Sequence, residues 1–245
     1  MGGLTAALRL LTVVPVPGFF PEARGAAGRS TPWFPVVGAL LGASAYLVFH
    51  LPVPRLVVAA FALGALVLFT GAMHEDGVMD VADALFVHGS RDRRIEVLAD
   101  PRVGAYGATA GALSLLTRFA LLGAIAPLGL LIAPVVGRWA MAVSLSQAAP
   151  LREEGLGASF AQGAQPVAAT LSAFLMLGLV SVAGGGTAQM EAVARTGAAW
   201  ALGAAAGAGV AALLIRRLGG LNGDGHGAVG HLAETAAFVA FVPLG

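Results

Sequence analysis

The chain has 245 residues, of which 58% are hydrophobic and only 11% are charged, and its mean hydropathy is +0.84. Soluble domains average about 25% charged residues, so the composition excludes an ordinary soluble domain and predicts a membrane protein. Cysteine and lysine are both absent, which excludes disulfides, thiolate chemistry and lysine Schiff bases, and a net charge of +1 without a basic stripe gives no sign of nucleic-acid binding.

The N-terminal residues predict a short interfacial helix and not a signal peptide. Leu4, Leu8 and Leu11 share one helical face. No basic region precedes them, and Pro15 and Pro17 interrupt the apolar run soon afterwards.

Several later segments approach the roughly 20 apolar residues that a helix needs to cross the hydrocarbon core. They predict an all-α, polytopic fold with about seven transmembrane helices in a single domain, residues 1–245. The predicted spans are Trp33–Leu51, Leu56–Met73, Ala105–Ile125, Leu128–Leu145, Val167–Ala183, Val193–Ile215 and Val229–Leu244.

The arginines outside these spans predict the orientation, because cytoplasmic loops carry an excess of positive charge. With the N-terminus in the cytoplasm, all of them except Arg55 and Arg195 fall on the cytoplasmic side. The same orientation places residues 74–102, 152–160 and 216–234 on that side, so we expect the active site there.

Acidic residues concentrate between His74 and Arg102. Asp76, Asp80 and Asp83 are spaced i, i+4 and i+7, so they form one stripe on a helix whose other residues are small or apolar. Like charges at this spacing repel one another, and a bound divalent cation would compensate them. Carboxylate oxygens favour magnesium, manganese or calcium. The alternative is a solvated loop.

His74 and the arginines that follow Ser90 can each be interpreted in two ways. His74 lies off the stripe and is either structural or a general base acting near phosphate. Ser90 predicts the N-cap of a following helix that carries Arg91, Arg93 and Arg94. These arginines predict a clamp for phosphate oxygens, and the alternative is an amphipathic surface helix with internal ion pairs.

A second acidic region follows the sixth predicted span. Its glycine-rich run, Gly219–Gly227, is of a kind that can cradle phosphate. Asp224 and His231 are spaced i and i+7 on one helical stripe, and Glu234 is close to it. This region therefore has the same features as residues 74–102, namely acids on one helical stripe with glycines and arginines nearby. Both regions lie on the same predicted side of the membrane.

Arg118 and Arg138 lie inside predicted spans, where a charged side chain is costly. Each therefore faces an interior partner or a wet cavity, or else it extends to the interface. Trp139 beside Arg138 supports an interfacial position for that residue.

Taken together, the motifs resemble those of the cobalamin synthase family, the adenosylcobinamide-GDP ribazoletransferases, over essentially the whole chain. The most specific is Gly71–Asp83, which fits the family pattern H-x-D-G-x-x-D-x-x-D. The others, in chain order, are Leu8–Pro17, Phe34–Gly38, Arg91–Arg93, Asp100–Gly107, Gly137–Met141 and Gly155–Phe160.

The resemblance implies transfer of the adenosylcobinamide phosphate group from adenosylcobinamide-GDP to α-ribazole or α-ribazole 5′-phosphate, with the 5′-hydroxyl of the acceptor expected as the attacking group. GMP would be released, Mg²⁺ would be the cofactor, and the enzyme would lie in the bacterial cytoplasmic membrane. The oligomeric state stays open, with a homo-oligomer among the options. The implied catalytic residues are His74, Asp76, Asp80 and Asp83; the substrate and phosphate ligands are Arg91, Arg94, Arg102, Arg138, Arg152 and Asn222; the metal ligands are Asp76, Asp80, Asp83, Asp224 and Glu234.

The sequence departs from the family pattern at two positions. Val13 stands where the family usually has Arg. His231 stands where it usually has the first Glu of G-A-x-x-E-x-x-E, and imidazole is a poorer magnesium ligand than carboxylate.

Two other functions are weaker alternatives. A CDP-alcohol phosphotransferase would carry the element D-G-x-x-A-R, but Gly77 is followed by Val78, Met79 and Asp80. A secondary transporter would place its carboxylates near the membrane midplane, whereas the acids here lie at span ends and in loops.

Overall fold

The computed structural model describes residues 2–17, 27–151, 156–182 and 188–243, and every regular element in these ranges is helical. This confirms the predicted all-α, polytopic class. The helices are α1 (Gly2–Leu11), a 3₁₀ helix (Gly28–Trp33), α2 (Phe34–Val48), α3 (Arg55–Thr70), α4 (Met73–Phe86), α5 (Arg91–Leu98), α6 (Ala105–Ala124), α7 (Leu128–Gln147), α8 (Leu156–Ala161), α9 (Pro166–Val182), α10 (Ala188–Leu218) and α11 (Gly223–Val239).

The predicted count of seven spans is not confirmed. Among the described residues, four helical segments are long and apolar enough to cross a membrane, and α3 with α4 adds a fifth if that bent pair is one span. The four segments are Gly28–Val48, α6, α7 and Gln189–Leu218. Each predicted span does coincide with a helix, but α9 and α11 have 17 residues each, which is short of the roughly 20 that a span needs.

α7 and α11 form the centre of the structure. α11 packs against α7, α10 and α4, while α2 and α9 cover other sides of α7. Nearly all residues of α11 from Gly225 to Phe238 are buried. Protein therefore surrounds this short helix, and the polar residues that it carries have protein partners instead of lipid.

Two apolar clusters hold the helices together. The larger one includes Phe34, Phe238 and Phe241 and joins α2, α7, α9 and α11. The smaller one joins α4, α10 and α11 through residues such as Leu214 and Val229. On the outside, large apolar side chains of α3, α6 and α9 are exposed, as expected for surfaces that face lipid.

Candidate active site

A sharp turn between α3 and α4 sets the direction of the acidic helix. Gly71 (φ +63°) and Ala72 (φ +57°) both have left-handed backbone, and the two helices diverge by 84°. A non-glycine residue in this conformation costs about 1–2 kcal/mol, so the packing of α4 against its neighbours must hold Ala72 in place. A Cβ atom on Gly71 would lie 2.6 Å from Val13 Cγ1, so the N-terminal segment packs directly against the turn.

α4 presents acids in two directions. His74, Glu75 and Asp83 are buried, whereas Asp76 is exposed and Asp80 is half-buried. The residues predicted as one metal-binding stripe therefore occupy different environments, and only Asp76 and Asp80 are open to a ligand.

Asp224, at the start of α11, joins this open face. A Cβ atom on Gly77 would lie 2.8 Å from the backbone oxygen of Asp224, so only glycine lets the two helices approach this closely. Burial raises the pKa of the Asp224 carboxyl, and the negative charge of Asp76 raises it further. Asp80 lies within electrostatic reach of both Asp76 and Asp224. We call Asp76, Asp80 and Asp224 the aspartate cluster.

The aspartate cluster has the donor chemistry of a magnesium site. No arginine or histidine among the described residues forms a salt bridge with its members, so their mutual repulsion is uncompensated by protein. Among all the residues that the structure describes, no three His, Asp or Glu side chains are close enough to form a ready-made metal site. The fit to Mg²⁺ therefore rests on ligand type and charge, and the side chains must draw together around a bound ion.

Asp83 is hydrogen-bonded to the start of α6, and its predicted role as a metal ligand stays a prediction. One of its carboxylate oxygens accepts from Gly104 N–H at 2.7 Å and the other from Gly107 N–H at 2.9 Å. Both oxygens are thus occupied by the first turn of α6, which has no cap from its own N-terminal residue Gly104. The i+7 spacing could not show this, although the Gly-x-x-Gly entry to α6 was a usable signal.

Glu234 lies in a buried group of charges, and its predicted role as a metal ligand stays a prediction. One carboxylate oxygen accepts from Arg118 and the other from Arg138, and the residue is only 1% exposed. Arg138 is therefore the partner of a buried carboxylate, and its predicted contact with phosphate stays a prediction. This arrangement confirms that the arginines within the spans face interior partners.

Glu75 and His231 complete this group, which we call the buried ion cluster: Glu75, Arg118, Arg138, His231 and Glu234. Glu75 lies 3.6 Å from Arg118 and 3.7 Å from His231. No sequence pattern separates Glu75 from the neighbouring aspartates, since only the three-dimensional packing shows that it faces inward.

The hydrogen bonds of His231 define its tautomer. Arg118 can only donate, so the contact of 2.9 Å to Nδ1 makes that nitrogen an acceptor. The proton then lies on Nε2, which donates to Ser114 Oγ at 2.7 Å. Both ring nitrogens are thus used within the protein, and His231 is not a metal ligand in this arrangement. With His231 neutral, the two arginines and two glutamates of the buried ion cluster balance.

Two of the predicted phosphate-binding arginines contact helix ends. Arg91 donates to the carbonyl of Leu218 at the end of α10, and Arg94 donates to the carbonyl of Leu85 in the last turn of α4. Carbonyls at helix C-termini lack partners within the helix. The two arginines supply such partners and thereby hold α5 against the ends of α10 and α4. The predicted N-cap of α5 is confirmed, since Ser90 Oγ accepts from Arg93 N–H.

The remaining predicted ligands are spread around the site. Arg102 is 86% exposed and pairs with Asp100 at 2.6 Å, which lowers the pKa of that carboxyl to about 2. Asn222 caps α11 by accepting from Gly225 N–H, and its amide donates to Asp224 at 2.7 Å. Arg152 lies outside the described residues.

A cavity of about 200 Å³ opens beside the aspartate cluster. Asp224 and Gly223 lie on its wall, together with the predicted general base His74 and a further histidine, His226. The sequence offered no signal for His226 beyond its place in a glycine-rich run.

The sequence matches the family described as cobalamin-5-phosphate synthase over residues 3–242. It is similar to the adenosylcobinamide-GDP ribazoletransferase of Geotalea daltonii, with 32% identity over 98% of this chain and 96% of that protein. The enzymes of the same name from Pseudomonas putida and Bradyrhizobium diazoefficiens are 38% and 35% identical, covering 94% of this chain in each case and 94% and 89% of the relatives. No solved structure gives a significant match.

Proposed function

Because the chain belongs to the cobalamin-5-phosphate synthase family, we propose that it transfers the adenosylcobinamide phosphate group from adenosylcobinamide-GDP to α-ribazole or α-ribazole 5′-phosphate. GMP is the other product. The family assignment makes the chain a membrane enzyme of cobalamin biosynthesis, and it leaves the CDP-alcohol phosphotransferase and transporter alternatives without support.

In this reaction an unsubstituted ribose hydroxyl of the acceptor attacks the phosphorus on the cobinamide side of the diphosphate. A new P–O bond forms, the P–O bond to GMP breaks, and the hydroxyl proton passes to a base. In α-ribazole 5′-phosphate the 5′-oxygen is already substituted, so the expected 5′-hydroxyl cannot attack and another ribose hydroxyl of that acceptor must do so. Such transfers depend on positioning and charge neutralisation more than on covalent help from the protein.

The observation that carries the proposal is the close contact between α4 and α11, which brings Asp76 and Asp80 within electrostatic reach of Asp224. These three carboxylates would hold Mg²⁺. When bound, Mg²⁺ would neutralise diphosphate oxygens and the charge on the departing GMP. Asn222 supports this arrangement, since its amide holds one carboxylate oxygen of Asp224.

Other residues of the chain hold the site in position. Asp83 fixes the start of α6 beside α4, and the buried ion cluster joins α4, α6, α7 and α11 below the aspartate cluster. We assign contacts with the substrate phosphates to Arg102, whose side chain is exposed, and to Arg152. His74 or a member of the aspartate cluster is assigned as the proton acceptor.

The orientation is also a proposal. The distribution of arginines supports a cytoplasmic N-terminus and a cytoplasmic active site in the bacterial inner membrane.

The test is a direct assay of the purified protein with adenosylcobinamide-GDP, α-ribazole and Mg²⁺. We expect GMP and adenosylcobalamin in equal amounts, and no GMP without the metal or without the acceptor. Asp80→Asn should abolish the reaction, whereas Asp92→Asn, on the exposed surface of α5, should retain it. Absence of GMP release from the unmodified protein would defeat the proposed function.

A further inference from the structure

We propose that the cavity beside Asp224 binds the two-ring aromatic base of the acceptor nucleoside, and thereby separates the acceptor's subsite from that of the nucleotide donor. This inference rests on the proposed function and deepens it.

The size and lining of the cavity match such a base. Its volume is about 200 Å³, whereas an apolar cavity of about 150 Å³ is enough for benzene. Most of the wall is apolar and comes from four different helices, with the side chains Leu10, Leu11, Met73, Met141, Leu145 and Phe160.

The same lining disfavours the other parts of the substrates. Guanine carries several hydrogen-bond donors and acceptors on its ring edges, and an apolar wall would leave them without partners. The corrin ring is many times larger than the cavity. The base of α-ribazole is 5,6-dimethylbenzimidazole, which has no ring N–H once it is joined to ribose. It therefore loses few hydrogen bonds when it enters an apolar space.

The polar part of the wall lies where the ribose would emerge. Asp224 lines the cavity and also belongs to the aspartate cluster. A base inside the cavity therefore places the attached ribose beside the carboxylates that would hold the metal, which is where an attacking hydroxyl is needed.

Two histidines add ring nitrogens at this end. Ser144 Oγ–H donates to the carbonyl of Met141, so Ser144 Oγ accepts from His226 Nδ1–H at 2.8 Å and Nε2 of His226 is an acceptor. His74 is 4% exposed, and its Nε2 atom has no hydrogen-bond partner among the described residues. Both side chains line the cavity and can form hydrogen bonds with ribose hydroxyls, which donate and accept.

The first experiment fills the cavity. Leu145→Phe should raise KM for α-ribazole by about tenfold or more, the scale of steric discrimination in apolar pockets, and leave KM for adenosylcobinamide-GDP unchanged. The matched control is Leu41→Phe, since Leu41 is 3% exposed, Leu145 is 4% exposed, and Leu41 lies away from the cavity. An unchanged acceptor KM in a folded Leu145→Phe protein would overturn the proposal.

The second experiment needs no variant. Free 5,6-dimethylbenzimidazole should bind the purified protein in equilibrium dialysis and should inhibit GMP release competitively against α-ribazole but not against the donor. Competition with the donor, or no binding, would overturn the subsite. If GMP is released but the heterocycle does not bind, the proposed function stands and the subsite is wrong. If the heterocycle binds but no GMP is released, the subsite stands and the proposed function is wrong.

Discussion

Gly77 of α4 lies directly against the backbone of Asp224 at the start of α11, with room for a hydrogen but not for a methyl group. Two parts of the chain that are far apart in sequence thereby bring their carboxylates together. The structure and the proposed reaction both depend on this contact, and it is open to test.

Gly77→Ala should push α4 and α11 apart, because the added Cβ atom would lie 2.8 Å from the Asp224 oxygen. We expect a loss of about 1–3 kcal/mol in stability, typical of overpacking, and a drop in GMP release of at least about tenfold. Gly64→Ala is the control, since a methyl group at that position would have nothing within 4 Å and alanine favours a helix interior by roughly 0.5–1 kcal/mol. Equal behaviour of the two variants in thermal unfolding and activity would contradict the close contact.

The aspartate cluster should be stabilised by magnesium. A ligand at 100 times its Kd stabilises a protein by about 2.7 kcal/mol, so Mg²⁺ should raise the melting temperature of the unmodified protein. Asp80→Asn and Asp224→Asn should abolish this rise. Without metal the same variants should be at least as stable as the unmodified protein, because each removes a repelled charge. Stabilisation by Mg²⁺ that survives both substitutions would place the metal elsewhere.

Asp83→Asn should separate a structural role from metal binding. An amide oxygen can replace only one of the two carboxylate acceptors that hold Gly104 and Gly107, so stability should fall by about 1–2 kcal/mol, as for loss of a helix cap. The stabilisation by Mg²⁺ should persist in this variant. If Mg²⁺ no longer raises the melting temperature of this variant, the prediction that Asp83 is a metal ligand gains support.

Glu234→Gln should be strongly destabilising. It leaves two buried arginines opposite Glu75 alone, and breaking a buried ion pair costs about 3–5 kcal/mol. Removing the partner as well, in Glu234→Leu with Arg138→Met, should recover much of that loss, because Arg118 then faces Glu75. Denaturation in mixed micelles gives both values, and a double variant no more stable than Glu234→Gln would argue against charge balance in the cluster.

The orientation can be tested cleanly because the chain has no native cysteine. Arg93→Cys on α5 and Val53→Cys between α2 and α3 both replace exposed residues. In intact cells a membrane-impermeant maleimide should label Cys at position 53, and at position 93 only after permeabilisation. The reverse pattern would invert the proposed topology.

The sequence was sufficient for the fold class and for the overlap of every predicted span with a helix, since both depend on apolar length and composition. It could not define the number of spans, because α11 is short and polar and yet is enclosed by protein. Burial of a helix depends on its neighbours, and no local pattern reports it.

For the site, spacing identified Asp76 and Asp80 as partners on α4 but included Asp83 in the same set. Helical spacing shows which side chains share a direction and not what they meet, and Asp83 meets the amides of α6. The pairing of Asp224 with α4 was expected from their shared side of the membrane. The pairing of Glu234 with Arg118 and Arg138 was not expected, because the two arginines lie in separate spans.

The contacts of His231 restrict which substitutions can occur at this position during evolution. Its neutral ring accepts from Arg118 and donates to Ser114, at a position where the family pattern has Glu. A carboxylate there would add a third negative charge to a group with two arginines, and it would accept from the Ser114 hydroxyl instead of donating to it. A relative that carries Glu at this position must therefore also bring a proton or another positive group nearby. Substitution at residue 231 is thus expected to occur together with changes at neighbouring positions and not alone.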